Sequence, residues 1–139
     1  MNCRKALRQV MSLILVVPVL SACSVLQATP VSQGQVRGVL TDKEGQPLPD
    51  RVVDVFLATI LDEKSGEIQL NNSWQSTLDD SGAFLIEDVP PGKYCLVLFL
   101  QQRAAFGVVL NEDKLFTFEV PQDSGIDLGR VDASLIRLL

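Results

Sequence analysis

Residues 77–100, TLDDSGAFLIEDVPPGKYCLVLFL, constrain the fold more than any other stretch of this chain. Asp79 can accept hydrogen bonds from the backbone that follows it, and Gly82 can adopt the positive φ that closes a turn. Pro91 and Gly92 suit the two central positions of a type II turn, because proline fixes φ and glycine supplies φ > 0. Each turn precedes an apolar run. The stretch therefore predicts a β-hairpin that opens with a tight turn.

Short apolar runs separated by Gly, Pro and Asp turns continue through the chain, with no helical period of useful length. This pattern is typical of an antiparallel β-sandwich. We predict seven strands and a last edge segment, at residues 36–42, 52–61, 73–78, 83–87, 93–100, 106–110, 115–120 and 126–133. Residues 62–72 are predicted as a loop with at most a short strand at 68–70, and residues 134–139 are too short to assign. The predicted fold class is all-β, an antiparallel seven-stranded β-sandwich.

The N-terminus has the pattern of a secretory signal. Arg4, Lys5 and Arg8 form a basic region, and an apolar run of 11 residues follows at 10–20. A transmembrane helix needs about 20 apolar residues, so this run is too short to span a bilayer. The next residues, LSAC at 20–23, resemble the lipobox of bacterial lipoproteins at all four positions. An ordinary secretory signal with a chance cysteine, or a short uncleaved anchor, is the alternative.

The lipobox resemblance implies cleavage before Cys23, a diacylglycerol on its sulfur and a fatty acyl chain such as palmitate on its amino group. Two or more acyl chains hold a protein stably on a membrane. The predicted organisation is a signal peptide at residues 1–22, a lipidated tether at 23–35 and one domain at 36–139. Ser24 stands where an aspartate implies inner-membrane retention. The resemblance thus implies the outer membrane, facing the periplasm, if the source is Gram-negative.

Charge and composition exclude several classes of function. The chain holds 12 basic and 17 acidic residues, and three of the basic ones lie in the signal, so the processed chain carries a net charge of −8. Clustered basic residues are needed to bind phosphate backbones, so nucleic acid is not an expected partner. The chain has no histidine, the commonest general base and metal ligand. We therefore predict a non-enzymatic protein with no catalytic, cofactor or metal site.

Four stretches now match one family pattern: VRGVLTD at 36–42, GQPLP at 45–49, TLDDSGAF at 77–84 and VPPGKY at 89–94. Together they resemble the carboxypeptidase regulatory-like domain, a transthyretin-like, Ig-like sandwich. The resemblance covers residues 35–100 and implies a fold built on these turns, with no catalytic residues. A long insertion between Leu57 and Trp74 departs from the family pattern. We also expect the domain to stand alone behind the lipobox, with no neighbouring enzyme or receptor barrel.

The strand predicted at 93–100 is apolar on both faces. Tyr94, Leu96, Leu98 and Leu100 alternate with a second set of apolar side chains. A strand of this kind is either buried on both sides or leaves a patch for a protein partner in the envelope. Residues 62–72 and the C-terminal tail are the segments that could cover it. The candidate partner face comprises Phe56, Leu85, Cys95, Val97 and Phe99.

The sequence therefore predicts a lipid-anchored envelope sandwich that acts as a binding or scaffolding module. The alternative is a carbohydrate- or small-ligand-binding module in which Trp74 stacks on the ligand, as aromatic side chains do in carbohydrate-binding sandwiches. A lone tryptophan in a strand is also a common packing residue at the edge of a core. Cys95, within an apolar strand, is expected to behave as a small hydrophobic residue.

Overall fold

In the computed structural model of this protein, residues 31–48 and 52–139 are described, with only the backbone given at Val53. The predicted signal peptide, Cys23 and most of the tether lie outside these residues. Within the described ranges, a 3-10 turn at Gln101–Arg103 accompanies ten strands. The strands are β1 (Val36–Thr41), β2 (Val52–Asp62), β3 (Glu67–Thr77), β4 (Ala83–Ile86), β5 (Gly92–Leu100), β6 (Ala105–Asn111), β7 (Lys114–Leu115), β8 (Thr117–Val120), β9 (Ile126–Asp132) and β10 (Ile136–Leu138).

The strands form two sheets. The small sheet has the order β4-β1-β9. The large sheet has the order β10-β6-β5-β2-β3, with β7 paired to β6 and β8 paired to β5, and all of its pairs are antiparallel. The two sheets share one apolar core. The all-β sandwich predicted from the sequence is confirmed.

The core between the sheets follows from strand alternation. Successive side chains of a strand point to opposite faces, so every second residue of β5 faces the small sheet. Leu96 and Leu98 on β5 have no exposed surface and meet Leu40 of β1 and Ile86 of β4 in one cluster. The other buried members of this inner core are Val36, Val55, Leu57, Phe84, Val89, Tyr94, Leu100, Val109, Phe118, Val120, Val131 and Ala133.

The opening turn of residues 77–100 is confirmed. Asp79 Oδ1 accepts hydrogen bonds from the backbone N–H groups of Ser81 and Ala83, both at 2.9 Å. The Gly82 N–H donates to the Asp79 carbonyl at 3.0 Å, and Gly82 has φ +82°. A Cβ at Gly82 would lie 2.5 Å from the carbonyl oxygen of Leu40. Glycine is therefore required twice, for its φ and for close approach to β1.

The predicted hairpin is wrong, because its two strands lie in different sheets. β4 pairs with β1, with Gly38 opposite Phe84, whereas β5 pairs with β2, with Leu57 opposite Leu96. The connection crosses the core edge through buried Val89, and Pro90 and Pro91 have no N–H to donate to a hairpin turn. The predicted type II turn is also wrong, since Gly92 has φ +157°, far from the value of about +80° that this position of the turn requires.

The predicted loop at residues 62–72 is largely strand. β3 runs through 11 residues, and Ile68 pairs opposite Ile60 of β2. β3 lies at the edge of the large sheet, where polar side chains are compatible with strand structure, so its composition gave a weak strand signal. The register shifts between Phe56 and Ala58 of β2, which face Gln75 and Leu70. This irregularity accommodates the extra residues of β3.

Two further differences concern the strand count and direction. The structure has ten strands in the described residues, because the predicted 115–120 strand divides into β7 and β8 and the unassigned tail contains β10. β1 pairs in parallel with β9, so the sandwich is not wholly antiparallel. The reason is geometric. The Ile126 N–H donates to the Gln35 carbonyl at 2.8 Å, so β9 begins where β1 begins. The register then advances from Val36 opposite Ile126 to Thr41 opposite Asp132, so the two strands run in the same direction.

Candidate functional site

The large sheet carries a second buried cluster on the face turned away from the small sheet. We call it the outer cluster: Phe56, Ala58, Cys95, Val97 and Val108. Its members are neighbours across β2, β5 and β6, because Val97 pairs opposite both Phe56 and Val108, and Cys95 opposite Ala58. Cys95 and Val97 have no exposed surface. The small side chains at the centre are therefore enclosed.

Aromatic rings and branched aliphatic side chains surround the outer cluster. Phe106 lies 5.5 Å from Phe56 and 5.2 Å from Phe99 between ring centroids, the first pair in an edge-to-face arrangement. Such pairs stabilise beyond the area they bury, by about 0.5–1.5 kcal/mol. The partly buried side chains packed against the cluster are Ile60, Ile68, Leu70, Phe99, Phe106, Leu110 and Leu115.

The structure brings four of the five residues of the predicted partner face together, but it buries three of them. Cys95 and Val97 are fully buried and Phe56 is 7% exposed, so these side chains present no surface to a partner. Phe99 keeps partial exposure at the rim. Segments proposed as a cover contribute to the burial, since Ile68 and Leu70 of β3 pack against the cluster.

Leu85 does not join the predicted face. It lies on β4 in the small sheet and is 45% exposed, while Cys95 and Val97 belong to β5 in the large sheet. The expectation failed because it assumed that β4 and β5 form one hairpin. The outer faces of the two sheets point in opposite directions, so Leu85 lies on the far side of the sandwich from the outer cluster.

Cys95 is a free buried cysteine. Burial raises the pKa of its thiol to about 11, and the positive charge of Arg137 opposes this only weakly. The reactive form of cysteine is the thiolate, which is scarce at neutral pH when the pKa is this high. Cys95 is therefore a packing residue, in agreement with the sequence-based expectation.

Trp74 lies on the edge strand β3 and is partly buried. Its ring packs edge-on against Tyr94, with 5.4 Å between ring centroids and an interplanar angle of 84°. The Tyr94 hydroxyl donates a hydrogen bond to the Pro90 carbonyl at 2.7 Å, which fixes the ring that Trp74 contacts. The indole thus packs against the inner core, and only part of its surface is open to a ligand.

The acidic turns use their carboxylates locally. The side chain of Ser81 donates to Asp79, and the backbone N–H of Lys64 donates to Asp62; each contact lowers the pKa of the carboxyl. The backbone of Gly129 does the same for Asp127. Within residues 31–48 and 52–139, no three His, Cys, Asp or Glu side chains are grouped so that they could hold a metal ion. These carboxylates therefore stabilise turns.

A cleft of about 590 Å³ lies beside the tip of the β2–β3 hairpin. Four cationic side chains line it, together with the carboxylates of Glu63 and Asp113, and Lys93 forms an ion pair with Glu63. We call it the basic cleft, defined by Lys64, Lys93, Lys114 and Arg137. This cleft was not predicted from the sequence, because its cationic residues come from the hairpin tip, β5, β7 and β10. The one available signal was that lysines recur beside turns.

A second cleft, of about 670 Å³, lies at the other end of the sandwich. Leu48 and Val52 line it on one side, and Leu135 and Leu138 line it from the C-terminal tail. Leu135 is 50% exposed and Leu138 45% exposed. This distal cleft is the more apolar of the two.

No protein-family model matches the chain, and no curated protein matches it. Among solved structures, the chain is similar to a candidate carbohydrate-binding protein from Pseudomonas aeruginosa, at 14% sequence identity and a TM-score of 0.37. The match covers 76% of this chain and 93% of that protein. A likeness at this level carries no argument about function. No helix in the described part of the chain is long and apolar enough to cross a membrane.

Proposed function

We propose that this protein is a lipid-anchored, non-enzymatic β-sandwich of the bacterial envelope that acts as a binding or scaffolding module. The observation that carries the proposal is LSAC at residues 20–23, behind a basic region and a short apolar run. The lipid on Cys23 holds the protein on the membrane, and a protein partner in the envelope binds the sandwich. In a Gram-negative source, the location is the outer membrane, facing the periplasm.

The way the chain enters the sandwich supports an anchored arrangement. Residues 31–35 are fixed at one end, where the Gly34 carbonyl accepts a hydrogen bond from the Val89 N–H at 2.9 Å. The Gln33 side chain donates to the Gln122 carbonyl at 2.9 Å. Cys23 precedes Val31 by eight residues, which can span at most about 28 Å when fully extended. An anchored domain would therefore stay close to the bilayer.

Two observations support a role without catalysis. The sequence contains no histidine, so a Ser–His or Cys–His pair cannot form. Cys95 is enclosed in the outer cluster with a pKa raised to about 11, which makes it a poor nucleophile. The carboxypeptidase regulatory-like resemblance points the same way, since its matching residues are turn residues such as Asp79 and Gly82.

The anchor is tested by replacing Cys23 with Ala and following labelled palmitate. We expect the label to disappear and the unprocessed precursor to accumulate, because the acceptor thiol and the cleavage site are lost. Cys3→Ala is the matched control, since this cysteine precedes the apolar run and should leave labelling and processing unchanged. Labelled, processed Cys23→Ala protein would contradict the proposal.

A carbohydrate- or small-ligand-binding module is the second candidate. The distal cleft favours it, because Leu135 and Leu138 offer partly exposed apolar surface beside charged side chains. Partly exposed Trp74 is the predicted stacking residue. A glycan array separates the candidates: binding that is lost in Trp74→Ala, or in Leu138→Arg, supports a ligand module. Binding unaffected by both changes would assign it to another surface.

A further inference from the structure

The basic cleft lies at the end of the sandwich where the chain enters, which we call the proximal end. Val120, the last residue of β8, pairs with Gly92, the first residue of β5. The segment after Val120 contacts residues 31–35, through the bond from Gln33 to the Gln122 carbonyl. Lys93 follows Gly92 directly and pairs with Glu63 at the hairpin tip. The cleft and the incoming chain are therefore on the same side of the domain.

The cleft concentrates positive charge in an acidic protein. Four of the nine basic residues that follow Cys23 line it, against two carboxylates, so its lining carries a net charge of +2. Within residues 31–48 and 52–139, Lys64, Lys114 and Arg137 have no carboxylate within ion-pair distance, while Lys93 is neutralised by Glu63. The unneutralised side chains are exposed at the mouth of the cleft.

Arg137 lies against the hairpin tip. Gly66 has φ +71°, and a Cβ built there would lie 3.3 Å from Nη2 of Arg137. The guanidinium therefore lies close to the backbone of the tip and lines the cleft together with Lys64 and Lys114. Arginine presents a planar fork that matches the oxygens of a phosphate, and lysine supplies mobile point charges.

We propose that the basic cleft binds the phosphate of anionic lipid headgroups at the membrane surface. The inference rests on the proposed anchor, because the tether keeps the proximal end near that surface. Basic residues close to an anionic leaflet are attracted to it, and the attraction fades within about a Debye length, roughly 8 Å at physiological salt. Exposed carboxylates outside the lining, including Asp62 and Glu112 beside the cleft, are repelled by the same leaflet. The orientation therefore comes from the tether together with the cations of the cleft, which turn the cleft toward the bilayer.

Lysine footprinting of the lipidated protein tests this orientation. The full lipidated protein is reconstituted into vesicles of phosphatidylcholine, with or without phosphatidylglycerol, and exposed to an acetylating reagent. We expect Lys64 and Lys114 to react about threefold or more slowly when phosphatidylglycerol is present, because the headgroups shield their ammonium groups. Lys43 is the matched control, since it is exposed and lies at the distal cleft. Its rate should not change.

Further experiments distinguish lipid phosphate from free phosphate as the ligand of the cleft. Inorganic phosphate added to phosphatidylcholine vesicles should leave the Lys64 and Lys114 rates unchanged; equal slowing would replace the lipid by free phosphate. In Arg137→Gln, slowing by phosphatidylglycerol should shrink. Equal rates in both vesicle types, or slowing of Lys43 to the same degree, would overturn the proposal.

The two proposals fail in distinguishable ways. Protein that does not float with phosphatidylcholine vesicles contradicts the anchor. The cleft is then tested separately, by adding phosphatidylglycerol vesicles to the unanchored protein: Lys64 and Lys114 that react as fast as without vesicles contradict headgroup binding by the cleft, whatever the result for the anchor.

Discussion

The middle of β5 is buried on both faces of the large sheet, but by different means. On β5, Leu96 and Leu98 face the small sheet and pack against side chains of β1 and β4. Cys95 and Val97, on the opposite face, pack among side chains of their own sheet, such as Phe56 and Phe106. One face is buried between two layers, and the other is enclosed by large neighbours around small central residues.

This contrast shows how a two-layer fold can support a strand that is apolar on both sides. A strand in the middle of a large sheet has neighbours on either side, and β5 lies between β2 and the β6 and β8 strands. Its outward residues at Cys95 and Val97 are small, so the larger neighbours can close over them. An apolar outer face is therefore compatible with a closed structure and does not by itself indicate a partner.

The largest expected effect is on the inner face. Leu96→Ala should lower the free energy of unfolding by about 2–5 kcal/mol, since a fully buried leucine between two layers leaves a cavity that cannot collapse easily. Urea denaturation measures the change. A loss below about 1 kcal/mol would mean that the contact between the sheets is not the main source of stability.

Burial of Cys95 in the outer cluster should make the free energy of unfolding depend on pH in the alkaline range. Burial raises the Cys95 pKa from 9.0 to about 11, so the unfolded chain releases the thiol proton before the folded protein does. Cys95 therefore stabilises the fold fully below pH 9, and this contribution is lost as the pH rises toward 11. The lost stability is about 2–3 kcal/mol. The free energy of unfolding of the wild type should therefore fall by this amount relative to that of Cys95→Ala between pH 8 and about 11.

A hydroxyl placed in the outer cluster tests whether it is dry. Val97→Thr conserves shape and adds a polar group at a position with no exposed surface, which should cost about 1–3 kcal/mol. Val39→Thr, on the partly exposed side of β1, is the control and should change stability by less than about 0.5 kcal/mol. Equal effects at both positions would indicate that water reaches Val97.

The smallest effect is expected on the outer face of the small sheet. Leu85 is 45% exposed, so Leu85→Ser should change the unfolding free energy by no more than about 0.5 kcal/mol. Comparison with Val97→Thr distinguishes the enclosed outer face of the large sheet from the open outer face of the small sheet. A cost close to that of Val97→Thr would show that Leu85 is covered in solution.

Local turns could be predicted from the sequence, and the pairing of distant strands could not. The turn at Asp79 to Gly82 forms through contacts within four residues, so its residue types determine it. The fold class followed in the same way from alternation and turn spacing. The choice of sheet for β4 depends on Gly38, more than 40 residues away, and no local pattern in residues 77–100 encodes that partner.

The candidate sites were harder to predict for the same reason. Phe56 of β2 and Cys95 and Val97 of β5 were identified, because they alternate along their own strands, whereas Ala58 and Val108 were not. Leu85 was misplaced once the hairpin was assumed. The basic cleft could not be predicted, since Lys64 and Arg137 are brought together only by the way the strands of the large sheet pair.

The parallel pairing of β1 with β9 has a consequence for the order of folding. Arg37 and Asp127, which form an ion pair at 2.9 Å across these strands, are 90 residues apart. A chain synthesised from its N-terminus must keep β1 without one neighbour until residue 126 and those after it are available. Such distant contacts slow folding to milliseconds or seconds and leave a strand edge open to wrong partners meanwhile. The small sheet is therefore closed late, only after β9 has been made.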